Sequence, residues 1–296
     1  MTVVGLALLV LAAVLAWPVP VAIAASQQRH RRAADPVASI IVWQAVGLAG
    51  GFSLISACIA FALAPLLSAT SGPVTQVMRW WHWVPLVAGL GLLLLLLASL
   101  AWEARKAQIL RSRHREALAL VSSSRGGQPE TRVIDTDHAI AYSVAGGAGT
   151  TVISTGLLQL LTDDEREAVL AHERQHLHLR HNLLTLPFAS WHRTLPLLPA
   201  TSTALESVSA AIEIMADDAA RRTVSEDAFV RALTKVADGQ DGSTRHHDVQ
   251  LTNVRIERLS QPLDPDTARP RIRASIYAVC LAAVPPLILI GTIVYS

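Results

Sequence analysis

Four stretches of this chain, residues 3 to 24, 37 to 67, 84 to 102 and 275 to 295, are too apolar and too long for the surface of a water-soluble protein. A helix needs about 20 apolar residues to cross the hydrocarbon core of a bilayer, and each stretch reaches or nearly reaches that length. They account for the 51% hydrophobic content and the mean hydropathy of +0.39 over 296 residues. The expected fold class is therefore a mainly α membrane protein with four transmembrane helices and one soluble part, residues 103 to 274, between the third and the fourth.

The first stretch could also be read as a signal peptide ending at Ala22-Ile23-Ala24. No basic residue precedes it, however, and Arg29, Arg31 and Arg32 follow directly, so a retained span is expected, kinked by Pro18 and Pro20. The second stretch exceeds what a bilayer requires and is expected to tilt or break near Gly50 and Gly51. Its one internal amide, Gln44, reads as an interhelical hydrogen bond. Trp80, Trp81 and Trp83 close the following connector as an interfacial belt. Pro285-Pro286 interrupts the fourth stretch. Cys58 and Cys280, the only cysteines, fall inside apolar stretches and read as two free buried thiols.

Basic residues set the expected orientation. Arg29, Arg31 and Arg32 follow the first span, five more (Arg105, Lys106, Arg111, Arg113, Arg115) follow the third, and Arg269, Arg271 and Arg273 precede the fourth, against Arg79 alone between the second and third. The positive-inside rule places residues 103 to 274 in the cytoplasm, at the bacterial inner membrane, and both termini outside. All but one of the 23 acidic residues lie in that segment and balance its cations, so the charge excess of a nucleic-acid binder is missing.

Within the soluble part, residues 104 to 121 read as a helical extension of the third span and 122 to 127 as a flexible joint. Two β-rich runs, Ala139 to Ala145 and Thr150 to Thr155, flank Gly146-Gly147-Ala148-Gly149 and read as a hairpin. An extended peptide can add to the edge of such a hairpin, which makes Tyr142, Ser143, Val144 and Ala145 candidate substrate contacts. A purely structural strand is the competing reading. Residues 183 to 200, apolar but broken by three prolines and by His192-Arg193, read as an interfacial or re-entrant segment anchored by Trp191.

The chemistry concentrates in LTDDEREAVLAHERQHLHLR, residues 161 to 180. Thr162 and Glu165 form a capping box that starts a helix, with Asp163 and Asp164 at its positive end. On that helix His172 and His176 are four residues apart, on one face about one turn from each other, close enough to share a zinc ion. Zinc held by two histidines and one more protein ligand keeps a position open for water and lowers that water's pKa to roughly 7. Glu173 beside them is placed to act as general base. The third ligand is expected from SVSAAIEIMADDAARR, where Glu213 and Asp217 are again four apart: Glu213 completes the site and Asp217 orients a histidine from behind. Asp218 is expected to be solvated. His178 and His181 lie roughly 200° and 140° around the helix from His176, off that face. His246-His247 could meet a developing oxyanion, but the surrounding Gly239, Asp241 and Gly242 suggest a solvated loop.

The runs GLLQLLTDDEREAVLAHERQHLHLRHN, EIMADDAA and RIERL at 255 to 259 resemble the cytosolic peptidase part of the BlaR/MecR antirepressor metallopeptidases. These are membrane gluzincins distantly akin to the HtpX-like and CAAX-prenyl membrane proteases. The similarity covers most of residues 131 to 260, and the four-span plan agrees. The resemblance implies a gluzincin-like α+β domain with a small β-sheet, zinc on His172, His176 and Glu213, Glu173 as general base and Asp217 behind a ligand. It also implies signal transduction through loss of a cytosolic winged-helix repressor, with self-cleavage in some members; a homo-oligomer is compatible with it. The β-lactam sensors of that family carry an outer penicillin-binding domain, whereas this sequence holds no Ser-x-x-Lys motif. A stimulus is thus expected to act through the spans, the outer connector or another protein.

The expected function is a zinc-dependent integral-membrane endopeptidase. One rival is a quality-control protease of the HtpX kind, disfavoured because those members place spans between the two metal motifs. The other is a non-enzymatic scaffold with a structural zinc, disfavoured because a closed structural site takes four protein ligands and has no use for Glu173.

Overall fold

The computed structural model describes residues 1–30, 34–68, 79–121, 123–124, 131–144, 149–178, 181–238, 246–262 and 268–294. Eleven helices and four strands are found among them. Four helical segments, 2–29, 36–66, 80–113 and 268–294, are long and apolar enough to cross a membrane.

The first of these is two helices in line, α1 (Thr2–Ala16) and α2 (Pro18–His30), broken at Trp17, where φ is −130° and ψ −75°. Proline needs no N–H partner at the first position of a helix, so Pro18 restarts the chain there, and the expected kink is present. Helix α3 (Pro36–Ser68) runs unbroken through Gly50 and Gly51, so of the expected tilt or break there is no break. The glycines serve close packing instead: a Cβ on Gly51 would lie 2.9 Å from the Trp191 ring. Hydrogen bonds between α2 and α3 come from Gln27, which donates to Ser39 Oγ at 2.6 Å and accepts from Trp43 Nε1 at 3.1 Å.

Helix α4 (Trp80–Val121) continues 42 residues without a break, so the expected extension beyond the apolar part is one rigid piece with it. Helix α11 (Ala268–Val294) likewise passes through Pro285-Pro286 without interruption. Much of the expected joint, residues 122 and 125–127, lies outside the described residues, as do Ala145 and Gly146-Gly147-Ala148 of the hairpin loop.

Strands β1 (Ser123–Ser124), β2 (Thr131–Ile134), β3 (Ala141–Val144) and β4 (Thr150–Ser154) form one sheet in the order β1-β2-β4-β3. The expected β3–β4 pair is antiparallel, with Tyr142 opposite Val152 and Ser143 opposite Thr151. The parallel pairing of β2 with β4 had no local signal. Ser154, fully buried, ties sheet to helix: its hydroxyl caps α5 (Thr155–Leu160) by accepting from Leu157 N–H, and donates to His138 O at 2.6 Å. Gly156 is required beside it, since a Cβ there would sit 2.0 Å from Asp137 O.

Helices α6 (Asp163–His178), α7 (His181–Thr194), α8 (Pro199–Ala220), α9 (Glu226–Asp238) and α10 (His246–Leu259) complete the structure. Helix α6 starts with the expected capping box: Thr162 N–H donates to Glu165 Oε2 at 2.9 Å. It turns Ala168 and Ala171 inward against Ala220, Phe229 and Leu259. Small side chains at this spacing let the helices approach closely, and each large apolar residue buried there contributes about 1.5–3 kcal/mol.

Residues 183 to 200, expected as an interfacial or re-entrant segment, form most of helix α7 and its tight turn into α8. Helix α7 leans on the long apolar helices. Ser190 Oγ donates to Leu96 O at 3.1 Å, Thr194 Oγ1 to Ser99 Oγ at 3.0 Å, and Trp191 lies on Gly47 and Gly51. Phe188, Val208 and Ile212 share a core with Ile40 and Trp43, so α8 is fixed directly to the base of α3. The pair His246-His247 opens helix α10 and does not lie in the expected loop, because the hydrophilic stretch before it ends where a helix can start; the side chains lie outside the described set.

Candidate metal centre

Helix α6 presents His172 and His176 toward α8, and α8 presents Glu213 and Asp217 back toward them. The two Nε2 atoms are 3.0 Å apart, His172 Nε2 lies 3.4 Å from Glu213 Oε2, and His176 Nε2 lies 3.5 Å from Glu213 Oε1. Among the described residues these three form the one cluster of potential metal ligands, all within 4.8 Å. Tetrahedral zinc with bonds of about 2.0–2.1 Å has ligands about 3.3 Å from one another. The triangle therefore fits that ion on size and on donor type.

The surroundings select the atoms that face inward. His172 is buried, and its Nδ1 lies 2.8 Å from Asp217 Oδ1, so the carboxylate favours a proton on Nδ1 and leaves Nε2 for a metal. Burial works against charge on His172, but Asp217 and Glu213 outweigh it and raise its pKa to about 9. Burial lowers the pKa of His176. Glu213 is pushed up by burial yet held at about 2 overall by His172 and the Arg255 guanidinium.

Arg255 received no role from the sequence, although it opens the RIERL run. It reaches across from α10, donating from Nε to Asp217 Oδ2 at 2.6 Å and from Nη2 to Asp217 Oδ1 at 2.8 Å. Its Nη1 lies 3.4 Å from Glu213 Oε2. Asp217 is 2% exposed, so it needs this partner, and its pKa is lowered despite burial. Three residues on, Arg258 grips Asp218 with Nη2 at 2.7 Å from Oδ2. Asp218 is thus not solvated as expected. Adjacent aspartates point to different faces of a helix, but α10 crosses α8 so that arginines three apart reach both. The signal was there in the spacing of Asp217-Asp218 and Arg255, Arg258, though nothing local paired them. Arg221 fixes the end of α10 by donating to Arg258 O at 3.2 Å and Gln261 O at 2.5 Å.

Glu173, next to His172, lines the same cleft together with Ala141 of β3. Burial raises its pKa above the ordinary carboxylate value, the direction that suits a proton acceptor working near neutral pH. Strand β3 pairs only with β4 among the described residues. Ser154 N–H donates to Ile140 O, so residues 140, 142 and 144 turn their backbone groups toward β4. Ala141 and Ser143 then turn theirs outward. Tyr142 and Val144 sit on this edge strand but spend their backbone groups on the sheet, and Ala145 is not among the described residues. His178 is exposed, away from the cluster.

Residues 103–198 match the model of Peptidase family M48. No curated protein and no solved structure matches the chain. The matched stretch contains β3, His172, Glu173 and His176 and supports a metallopeptidase, of a kind that typically uses zinc. Glu213, Asp217 and Arg255 lie beyond it and stand on geometry alone.

Proposed function

We propose that this protein is a zinc-dependent integral-membrane endopeptidase acting in signal transduction, which cleaves a cytosolic winged-helix repressor or triggers its loss. The observation that carries the peptidase reading is the triangle of His172, His176 and Glu213, with Glu173 on the same cleft and a strand, β3, at the edge of the sheet among the described residues. The edge groups of Ala141 and Ser143 pair with an extended peptide and bring its carbonyl over the triangle. Zinc, when bound, supplies a Lewis acid and an activated water. Glu173 accepts the proton released as the carbonyl is attacked and returns it to the leaving amine. Asp217 keeps the His172 ring in one tautomer, and Arg255 keeps Asp217 and Glu213 in place.

A regulated role is supported by the linkage between the cleft and the apolar helices. Arg258, which holds Asp218 on α8, also donates to Ala34 O between the first two apolar helices. The neighbouring Asp35 caps α3 through Ala38 N–H and pairs with Arg271 at the start of α11. A shift of these helices is therefore felt at the end of α8. The second reading, a quality-control protease, is favoured by one feature: helix α7, between the two halves of the candidate site, is seated against α3 and α4.

Glu173→Gln should retain zinc at the wild-type stoichiometry while cleavage of peptides falls by about a thousandfold, and Glu213→Ala should lose both. Cleavage that survives in Glu173→Gln would overturn the mechanism. Comparison of wild-type and Glu173→Gln cells separates the two roles. A cytosolic DNA-binding protein that persists only in the variant supports signalling; accumulation of damaged membrane proteins alone supports quality control.

A further inference from the structure

The outward edge of β3 is also the floor of a second cavity, of about 370 Å3, walled by α4 and α7. Glu103, Lys106 and Arg111 line it from α4, Tyr142 and Ser143 from β3, and Thr185 from α7. With Ala107 and Leu110 between them, the α4 residues recur at the three- and four-residue spacing of a single helix face, so this wall is one continuous stripe, just beyond the apolar part of α4. Strand β3 borders both spaces, since Ala141 lines the candidate catalytic cleft beside His172 and Glu173 while Tyr142 and Ser143 line this cavity. A peptide paired with β3 alternates its side chains between two sides. One set faces the cleft and the other enters the space beside α4.

The charge of that space is lopsided. Its single carboxylate, Glu103, is 15% exposed at the side chain and already meets Arg193 Nη1 at 3.5 Å and Lys106 Nζ at 4.0 Å. Arg193 in turn stacks over Trp102, 5.3 Å from the ring centroid. Arg111 adds a further cation to the same wall. Three cations around one carboxylate leave a net positive pocket, and a lysine or arginine from a substrate would enter it against like charge.

We propose that the cavity between α4 and β3 is a substrate subsite selecting an acidic side chain close to the cleaved bond, read by Lys106 and Arg111. This rests on the peptidase reading, and the test keeps the two apart. Two alanine–valine decapeptides, one with aspartate and one with lysine at every third position, are offered to the full-length, zinc-loaded protein in phosphatidylcholine nanodiscs. Cleavage is followed in the wild type, and binding by fluorescence anisotropy in Glu173→Gln. The aspartate peptide should be preferred about fivefold in both measurements, the scale of one or two partly exposed charge pairs, and less so at high salt. In the Lys106→Glu/Arg111→Glu protein the order should invert. A merely structural role for these residues would depress both peptides alike, and that result, or an unchanged preference, overturns the proposal. If the wild type cleaves neither peptide, the peptidase reading falls, while inversion of the binding order still upholds the subsite and its absence still rejects it.

Discussion

In the long apolar helices the closest approaches are made by small residues. A Cβ on Gly89 of α4 would lie 2.7 Å from Cys58 Cβ on α3, and one on Gly5 of α1 would lie 3.1 Å from the Phe61 ring. Around the candidate metal centre the helices meet through charge instead: Asp217 with Arg255, Asp218 with Arg258, Glu165 with Lys235 and Arg231. The contrast follows from the solvent. Lipid is as apolar as leucine and gives little drive to bring helices together, so intimate backbone contact does the work there. Beyond the apolar layer, water makes apolar burial favourable, and buried charges can specify which helices cross and where, provided each is fully paired.

Three substitutions test that contrast. The largest effect is expected from Arg255→Leu, which leaves Asp217 buried without its cation. The soluble layer should lose about 3–5 kcal/mol of stability, and zinc affinity should drop about 10- to 100-fold as the His172 ring loses its support; denaturant unfolding and zinc titration measure the two. Wild-type zinc affinity in this variant would show that the charge cluster is not what holds the site. Gly89→Leu should act in the other region, costing about 1–3 kcal/mol through the clash with Cys58. Zinc bound per molecule should stay unchanged, and a fall in it would mean the two regions are not separable.

The smallest effect is expected at Glu165, 1% exposed beneath Lys235 at 2.7 Å and Arg231 at 3.3 Å. Lys235 and the Thr162 N–H hold its pKa at about 2, below the ordinary 4.5. A pKa lowered by folding adds stability that is fully present above about pH 4.5 and fades as the pH falls toward 2. Glu165→Gln keeps the capping hydrogen bond and loses the ion pairs. It should be less stable by about 1 kcal/mol at pH 7, since both cations are partly exposed and screened. Thermal melts of the two proteins should converge near pH 2, and a gap that stays constant with pH would assign the effect to packing.

Much of the molecule is legible in its amino-acid order. The apolar helices declare themselves by length, because nothing but a bilayer tolerates that many exposed apolar residues in succession. The start of α6 follows from Thr162 and Glu165, and the pairing of His172 with His176 and of Glu213 with Asp217 from the helical repeat. These are local matters, decided within one or two turns. That 183 to 200 is mostly one helix was not legible, because Pro187 weighs against a helix locally while packing of Phe188, Ser190 and Trp191 on the long helices holds one in place.

Which helix ends came to lie together was decided only in three dimensions. The reach of Arg255 and Arg258 over 38 and 40 residues and the parallel pairing of β2 with β4 have no periodicity to betray them. So too the groove between α4 and β3, whose walls come from three separate elements. Sequence determines what each segment does with its own neighbours, since backbone hydrogen bonds and side-chain repeats act over a few residues. The cleft is a property of how rigid segments stack, and stacking depends on the summed shape and charge of faces that meet only after the chain has folded.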